Sequence, residues 1–75
     1  MTPEIRYRMV AREWTRTGKI REIREAAGIT QKDVADAVGV GKYCVANWEA
    51  GTRIPRGDIA LRFGRLLLEL AEELA

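Results

Sequence analysis

The 75-residue sequence predicts an all-α fold, a compact domain of five helices, from three observations. Apolar residues recur at spacings of three and four, which is typical of helices, and no segment alternates as a strand does. Most of the seven glycines stand between these stretches and mark their ends. The length allows only one small hydrophobic core, so helices must pack closely or the chain must dimerise.

The first helix is predicted over residues 3 to about 16. Thr2 is suited to cap it, and Pro3 occupies the first helical position, where a missing N–H costs nothing. Its apolar stripe lies opposite several arginines and consists of Tyr7, Val10, Ala11 and Trp14. We divide the chain into an N-terminal extension, residues 1–17, and a main domain, residues 18–75.

Two shorter helices follow. The second places Ile20, Ile23 and Ala27 inward and ends at Gly28, a residue suited to a left-handed C-terminal cap. Thr30 and Asp33 have the spacing of a capping box, which predicts that a third helix begins there and continues to Val38.

The third and fourth helices are predicted to form a helix-turn-helix. Residues 39–41 leave only a three-residue turn before Lys42, and the fourth helix ends at Gly51. Helices joined so tightly cross at a large angle. Ala35 is expected where they approach most closely, and Gly39 is expected to adopt a positive φ in the turn.

The last helix is predicted from an Asp58 cap to about Leu74. Gly64 in its interior costs about 1 kcal/mol relative to alanine, which indicates that a close neighbour requires the small residue. Its apolar surface extends around more than half of the helix circumference. A domain of this size has one core to bury, so this width favours a second partner, and we predict a homodimer interface formed by Leu61, Gly64, Leu68 and Ala71.

Composition excludes several classes of function. The chain has no histidine and one cysteine, Cys44, so it offers neither a zinc cluster nor a disulfide, and we expect no metal and no cofactor. It has no paired carboxylates and no nucleotide-binding loop, so we expect no enzyme and no small-molecule ligand. No membrane span or targeting segment is visible, and we expect a cytoplasmic protein.

Charge is distributed unevenly along the chain. The first 65 residues contain thirteen Lys and Arg against eight Asp and Glu, a net charge of +5, and the last ten residues carry only acidic charges. A basic body of this kind favours a polyanionic partner.

Two segments resemble a known family: G-I-T-Q-K-D-V-A-D-A-V-G-V over residues 28–40 and V-A-N-W-E-A-G-T-R-I-P over residues 45–55. Together they are similar to the Cro-type, or phage-repressor-like, helix-turn-helix DNA-binding proteins, and the resemblance covers about residues 18–67. It implies a lambda-repressor-like fold. Gly41 departs from the family pattern, which usually has Ser or Thr at the start of the recognition helix.

The helical wheel of the fourth helix separates a core side from an outward side. Val45 and Trp48 face inward with Cys44 at their edge, where we expect a semi-buried apolar residue, while the opposite side includes Lys42, Tyr43 and Asn47. The resemblance implies that these last three read bases. Further residues are expected at phosphates or in the minor groove: Gln31, Lys32, Arg53 and Arg56. The resemblance also implies a structural ion pair between Arg24 and Glu49.

The sequence and this resemblance therefore predict a sequence-specific, double-stranded DNA-binding transcriptional regulator, a phage or bacterial repressor of the Cro-like or immunity type. It would bind a pseudo-palindromic operator as a homodimer. An antitoxin, or an adaptor that binds a partner protein through the last helix, stays open as the alternative. Residues 1–17 are either an extra helix covering part of the domain or a basic arm that contacts DNA.

Overall fold

The computed structural model describes residues 1–75 and confirms the all-helical fold. No helix in it is both long enough and apolar enough to cross a membrane. The five helices are α1 (Pro3–Thr17), α2 (Lys19–Ala26), α3 (Gln31–Val38), α4 (Lys42–Ala50) and α5 (Gly57–Leu74).

Side-chain caps begin two of the helices where the sequence predicts them. The Thr2 hydroxyl accepts a hydrogen bond from the Ile5 amide (3.3 Å) at the start of α1. At the start of α3, the Asp33 amide donates to the Thr30 hydroxyl (3.0 Å) and the Thr30 amide donates to the Asp33 carboxylate (2.9 Å). This reciprocal pair is the expected capping box.

The predicted Asp58 cap of α5 is wrong. The helix begins one residue earlier, at Gly57, with Arg56 in the capping position and no side-chain cap. Asp58 lies in the first turn, where its carboxylate is 3.4 Å from the Arg62 guanidinium one turn later. A carboxylate there still stabilises the helix, since it lies near the positive end of the helix dipole.

The core lies between the helix-turn-helix and α5. Trp48 packs on Phe63 with ring centroids 4.7 Å apart and the ring planes inclined at 31°. Trp48 is 5% exposed, which confirms its prediction as a core residue. Four smaller residues of α3 and α4 belong to the same core and are each at most 2% exposed: Val34, Ala35, Val38 and Val45. Burial of this apolar surface fixes α4 against the rest of the domain.

Helix α1 packs along α5 and covers part of the wide apolar face of α5. Ala11 is completely buried, and the buried Thr15 hydroxyl donates to the Ala11 carbonyl (2.7 Å). On the α5 side, Ala60 and Gly64 are buried. The first partner of the wide apolar face of α5 is therefore a helix of the same chain.

Gly64 is consequently wrong as a dimer-interface residue. It is buried beneath α1, and a Cβ atom at this position would overlap the backbone of Tyr7. The expectation that a close neighbour requires a small residue at this position is confirmed. The other three predicted interface residues, Leu61, Leu68 and Ala71, are half-buried on the flank of α5.

Candidate nucleic-acid interface

The turn between α3 and α4 is held by backbone hydrogen bonds. Gly39 has φ +87°, as expected, and the amides of Gly39 and Val40 both donate to the Ala35 carbonyl (2.8 and 3.0 Å). After the turn, the Cys44 amide donates to the Gly41 carbonyl (3.0 Å) in the first turn of α4. The bonds fix the angle at which α4 leaves the turn.

The first turn of α4 is the most exposed part of the helix-turn-helix. Lys42, Tyr43 and Cys44 are all exposed, and Tyr43 retains 80% of its accessible surface. The interpretation of Cys44 as semi-buried is therefore wrong. Cys44 lies in the first turn of α4, where its side chain can point away from the core that Val45 and Trp48 fill. The position of Cys44 on the helical wheel does not show this exposure. The exposed turn presents a cation, a phenol and a thiol side by side.

Asn47 lies one turn further along α4 and is half-buried. Its carbonyl oxygen accepts from the Thr52 and Arg53 amides (3.0 and 3.4 Å). The Thr52 hydroxyl lies 3.2 Å from both this carbonyl and the Asn47 side-chain oxygen. Asn47 therefore anchors the loop after α4, a role that sequence reasoning missed. Its amide nitrogen stays available for a further contact.

An ion pair joins the end of α4 to α2. The Arg24 guanidinium donates to both carboxylate oxygens of Glu49 (2.6 and 3.0 Å) and to the Ile29 carbonyl (3.0 Å). The two side chains are only 14% and 5% exposed. A bidentate pair shielded from water is geometrically specific, so it fixes the distance between the two helices.

Gln31 completes this cluster, since its side-chain amide donates to Glu49 (3.1 Å). Burial alone would raise the pKa of the Glu49 carboxyl, but hydrogen bonds from Arg24 and Gln31 outweigh it and hold the pKa below its ordinary value of 4.5. The hydrogen bonding between Arg24 and Glu49 also raises the pKa of the Arg24 guanidinium. Gln31 thus links the start of α3 to the end of α4, and the second hydrogen of its side-chain amide has no partner within the protein.

The remaining predicted phosphate residues are exposed but differ in their surroundings. Lys32 is paired with Asp36 one turn later (2.9 Å). Arg53 and Arg56 lie in the loop between α4 and α5, and neither has a carboxylate within 4.0 Å. Arg53 and Arg56 therefore carry unpaired positive charges, whereas the charge of Lys32 is partly neutralised by Asp36.

Unpaired positive charge is concentrated on a few elements. Six of the thirteen Lys and Arg side chains form salt bridges with carboxylates. Of the other seven, Lys19 lies 4.5 Å from the centre of the Trp14 ring. The remaining six lie on α1, at the start of α4 and in the loop after α4: Arg6, Arg8, Arg12, Lys42, Arg53 and Arg56. Exposed cations without internal partners are suited to bind an external polyanion.

Comparison with known proteins adds to this geometry. A family model described as helix-turn-helix, of the Cro/C1 type, matches residues 20–67, about two thirds of the chain. Neither the search of curated proteins nor that of solved structures gave a significant match. The matched residues contain the turn, the exposed first turn of α4 and the Arg24–Glu49 pair, whereas α1 lies outside them. The chain belongs to the Cro/C1-type helix-turn-helix family of DNA-binding regulators.

Proposed function

We propose that the protein is a sequence-specific transcriptional repressor, of a phage or a bacterium, that binds a pseudo-palindromic operator as a homodimer. The exposed first turn of α4 carries this proposal, since Lys42, Tyr43 and Cys44 protrude from a helix that the core holds rigidly. The major groove of B-DNA is about 12 Å wide and admits an α-helix, whose N-terminal residues then contact base edges.

The side chains on this turn suit the edges of base pairs. Lys42 can donate to the O6 and N7 atoms of guanine, and the Tyr43 ring can pack on a thymine methyl group. Asn47 can reach an adenine with its free amide nitrogen, while its side-chain oxygen faces Thr52. We therefore assign Lys42 the strongest base preference, with Tyr43 and Asn47 as secondary readers.

Phosphate contacts would orient α4 in the groove. Gln31 stands at the start of α3, where free backbone amides and the helix dipole favour an anion. Arg53 and Arg56 follow α4 and carry unpaired charge, and Lys32 is a weaker candidate because Asp36 competes for it. Such contacts increase affinity for every sequence and leave discrimination to α4.

Dimerisation would use the flank of α5 that α1 leaves half-exposed, at Leu61, Leu68 and Ala71. Each protomer measures 30 × 27 × 22 Å, a size that suits two copies on one face of DNA with their recognition helices about 34 Å apart. A bound dimer would repress by occluding the polymerase in the compartment that holds the chromosome.

Sequencing of the DNA retained from a random duplex library tests the proposal. We expect the wild-type protein to enrich a short inverted repeat whose half-sites are centred about one helical turn apart. In the selection with Lys42→Ala, specific positions of that repeat lose their base preference.

Arg65→Ala is the matched control, because it removes one exposed charge from α5, where Arg65 is paired with Glu69. It should retain the wild-type motif. Enrichment of no motif by the wild-type protein would contradict sequence-specific binding and favour an adaptor or antitoxin. Enrichment of a single half-site would contradict dimeric binding but not sequence-specific binding.

A further inference from the structure

We propose that α1 adds a second phosphate-binding site to the DNA-binding surface, formed by Arg8 and Arg12 together with Arg56. This inference rests on the proposed function, since it assumes that the protein binds duplex DNA. Two of its three residues lie outside the family-matched segment, because Arg8 and Arg12 precede residue 20. The partner chemistry is the sugar-phosphate backbone beyond the groove that α4 occupies.

The three arginines line one groove between α1 and the loop after α4. The rest of its wall is formed by Ile54, Pro55, Gly57 and Ala60. Pro55 is buried, so this part of the loop is fixed against the domain, whereas all three arginines are exposed. The site is therefore made from two elements that the fold brings together, and its cations face solvent.

The three arginines of this groove form no salt bridge within the protein. None of the three arginines has a carboxylate within 4.0 Å, although Arg16 on the same helix pairs with Glu13. Arg8 and Arg12 are four residues apart on α1 and therefore adjacent, and like charges at this spacing repel each other. An external anion that binds between them would relieve this repulsion.

The position of the groove favours the DNA backbone as that anion. The loop that supplies Arg56 directly follows α4, and it also carries Arg53, so unpaired charge continues from the end of α4 to α1. Duplex DNA presents phosphates at regular spacing on both sides of the major groove. Arginine forks bind phosphate oxygens in pairs, which suits two or three arginines at one stretch of backbone.

The test compares Arg8→Gln/Arg12→Gln with the wild-type protein by fluorescence anisotropy, over a series of salt concentrations. Two duplexes are used, the one selected from the random library and one of scrambled sequence. We expect affinity to fall by a similar factor for both duplexes. We also expect the slope of log K against log salt to become shallower by about 2, one unit for each lost contact.

Arg16→Gln/Arg21→Gln is the matched control. It also removes two exposed arginine charges, but from side chains paired with Glu13 and Glu25. Its salt slope should stay close to that of the wild type. Arg8→Lys/Arg12→Lys keeps the charge and should retain most of the slope. Melting temperatures establish that each variant is folded, and relief of the repulsion predicts no loss of stability for Arg8→Gln/Arg12→Gln.

The inference is overturned if the wild type binds the selected duplex and the two double glutamine variants change its salt slope equally. In that case only net charge matters, and the groove is not a contact. It is also overturned if Arg8→Gln/Arg12→Gln retains the full slope. Absence of wild-type binding to any duplex is a different outcome, because it removes the proposed function itself.

Discussion

Gly64 in α5 lies directly against the backbone of Tyr7 in α1, so closely that a Cβ atom would overlap the Tyr7 carbonyl group. The contact joins the helix that precedes the family-matched residues to the helix that closes the fold. It explains why a glycine is kept inside an 18-residue helix. It also makes α1 a structural part of the domain.

Gly64→Ala should destabilise the protein by about 2–3 kcal/mol, because α1 has to move away from α5 and this overpacking outweighs the better helix propensity of alanine. Thermal unfolding followed by circular dichroism measures the effect. Gly41→Ala is the control, since Gly41 has no atom near its Cβ position, and its cost should be only about 0.5–1 kcal/mol, the poorer N-cap preference of alanine. Equal effects of the two substitutions would contradict the close contact.

Arg24→Ala should cost about 3 kcal/mol of unfolding free energy, because it leaves the Glu49 carboxylate without its cation when that side chain is only 5% exposed. A double-mutant cycle with Glu49→Gln measures the coupling, which we expect to exceed about 1 kcal/mol. The exposed pair of Arg21 and Glu25 is the comparison, and its coupling should stay below about 0.5 kcal/mol. Equal couplings would refute the structural role of the Arg24–Glu49 pair.

Acid should destabilise the fold through Glu49 and Asp33. The pKa of Glu49 is lowered as described above, and backbone and side-chain hydrogen bonds with Thr30 lower that of Asp33 from its ordinary value of 3.8. A carboxyl group with a lowered folded-state pKa stabilises the protein above its ordinary pKa, and this contribution is lost as pH falls through the folded-state value. Unfolding free energy should therefore be constant from pH 7 to about pH 5 and decrease below it.

Glu49→Gln isolates the contribution of the Glu49 carboxyl. The variant should be less stable than the wild type at pH 7, and its stability should decrease less between pH 5 and pH 2. Urea unfolding at fixed pH values measures both effects. A pH profile parallel to that of the wild type would show that Glu49 has the same pKa in the folded and unfolded states.

Leu68→Glu should dissociate the proposed dimer, because it places a charge on the half-exposed flank of α5. Sedimentation equilibrium at tens of micromolar measures the change from dimer to monomer. Met9→Glu is the control, since Met9 is 53% exposed on α1 and does not line the groove that contains Leu68 and Ala71. A monomeric wild type, or dissociation by Met9→Glu alone, would place the interface elsewhere or remove it.

Local signals in the sequence predicted most of the fold. The Thr30–Asp33 capping box, the Gly39 turn and the inward position of Trp48 depend on residues close in sequence, so spacing and residue type were sufficient. The sequence could not predict that α1 covers Gly64, because the wide apolar face of α5 could pack against a second copy of the chain as well as against a helix of the same chain. Packing between distant segments decides that question.

The candidate site was predictable to a similar extent. The helical wheel identified Lys42 and Tyr43 as outward residues, and both are exposed. It misplaced Cys44, since the first turn of a helix can extend beyond the core that its later turns contact. The loop contact of Asn47 left only a faint signal, a threonine five residues later. The groove at Arg8, Arg12 and Arg56 depends on how α1 docks, which no local pattern encodes.

The ratio of affinities for the selected duplex and a scrambled duplex tests the central claim, that the first turn of α4 reads bases. Lys42→Ala should lower this ratio by about 5-fold or more at constant salt, because a base contact contributes about 1–3 kcal/mol of discrimination. Arg56→Ala should weaken both complexes by a similar factor and leave the ratio unchanged. An unchanged ratio for Lys42→Ala, with both complexes weakened alike, would contradict the account.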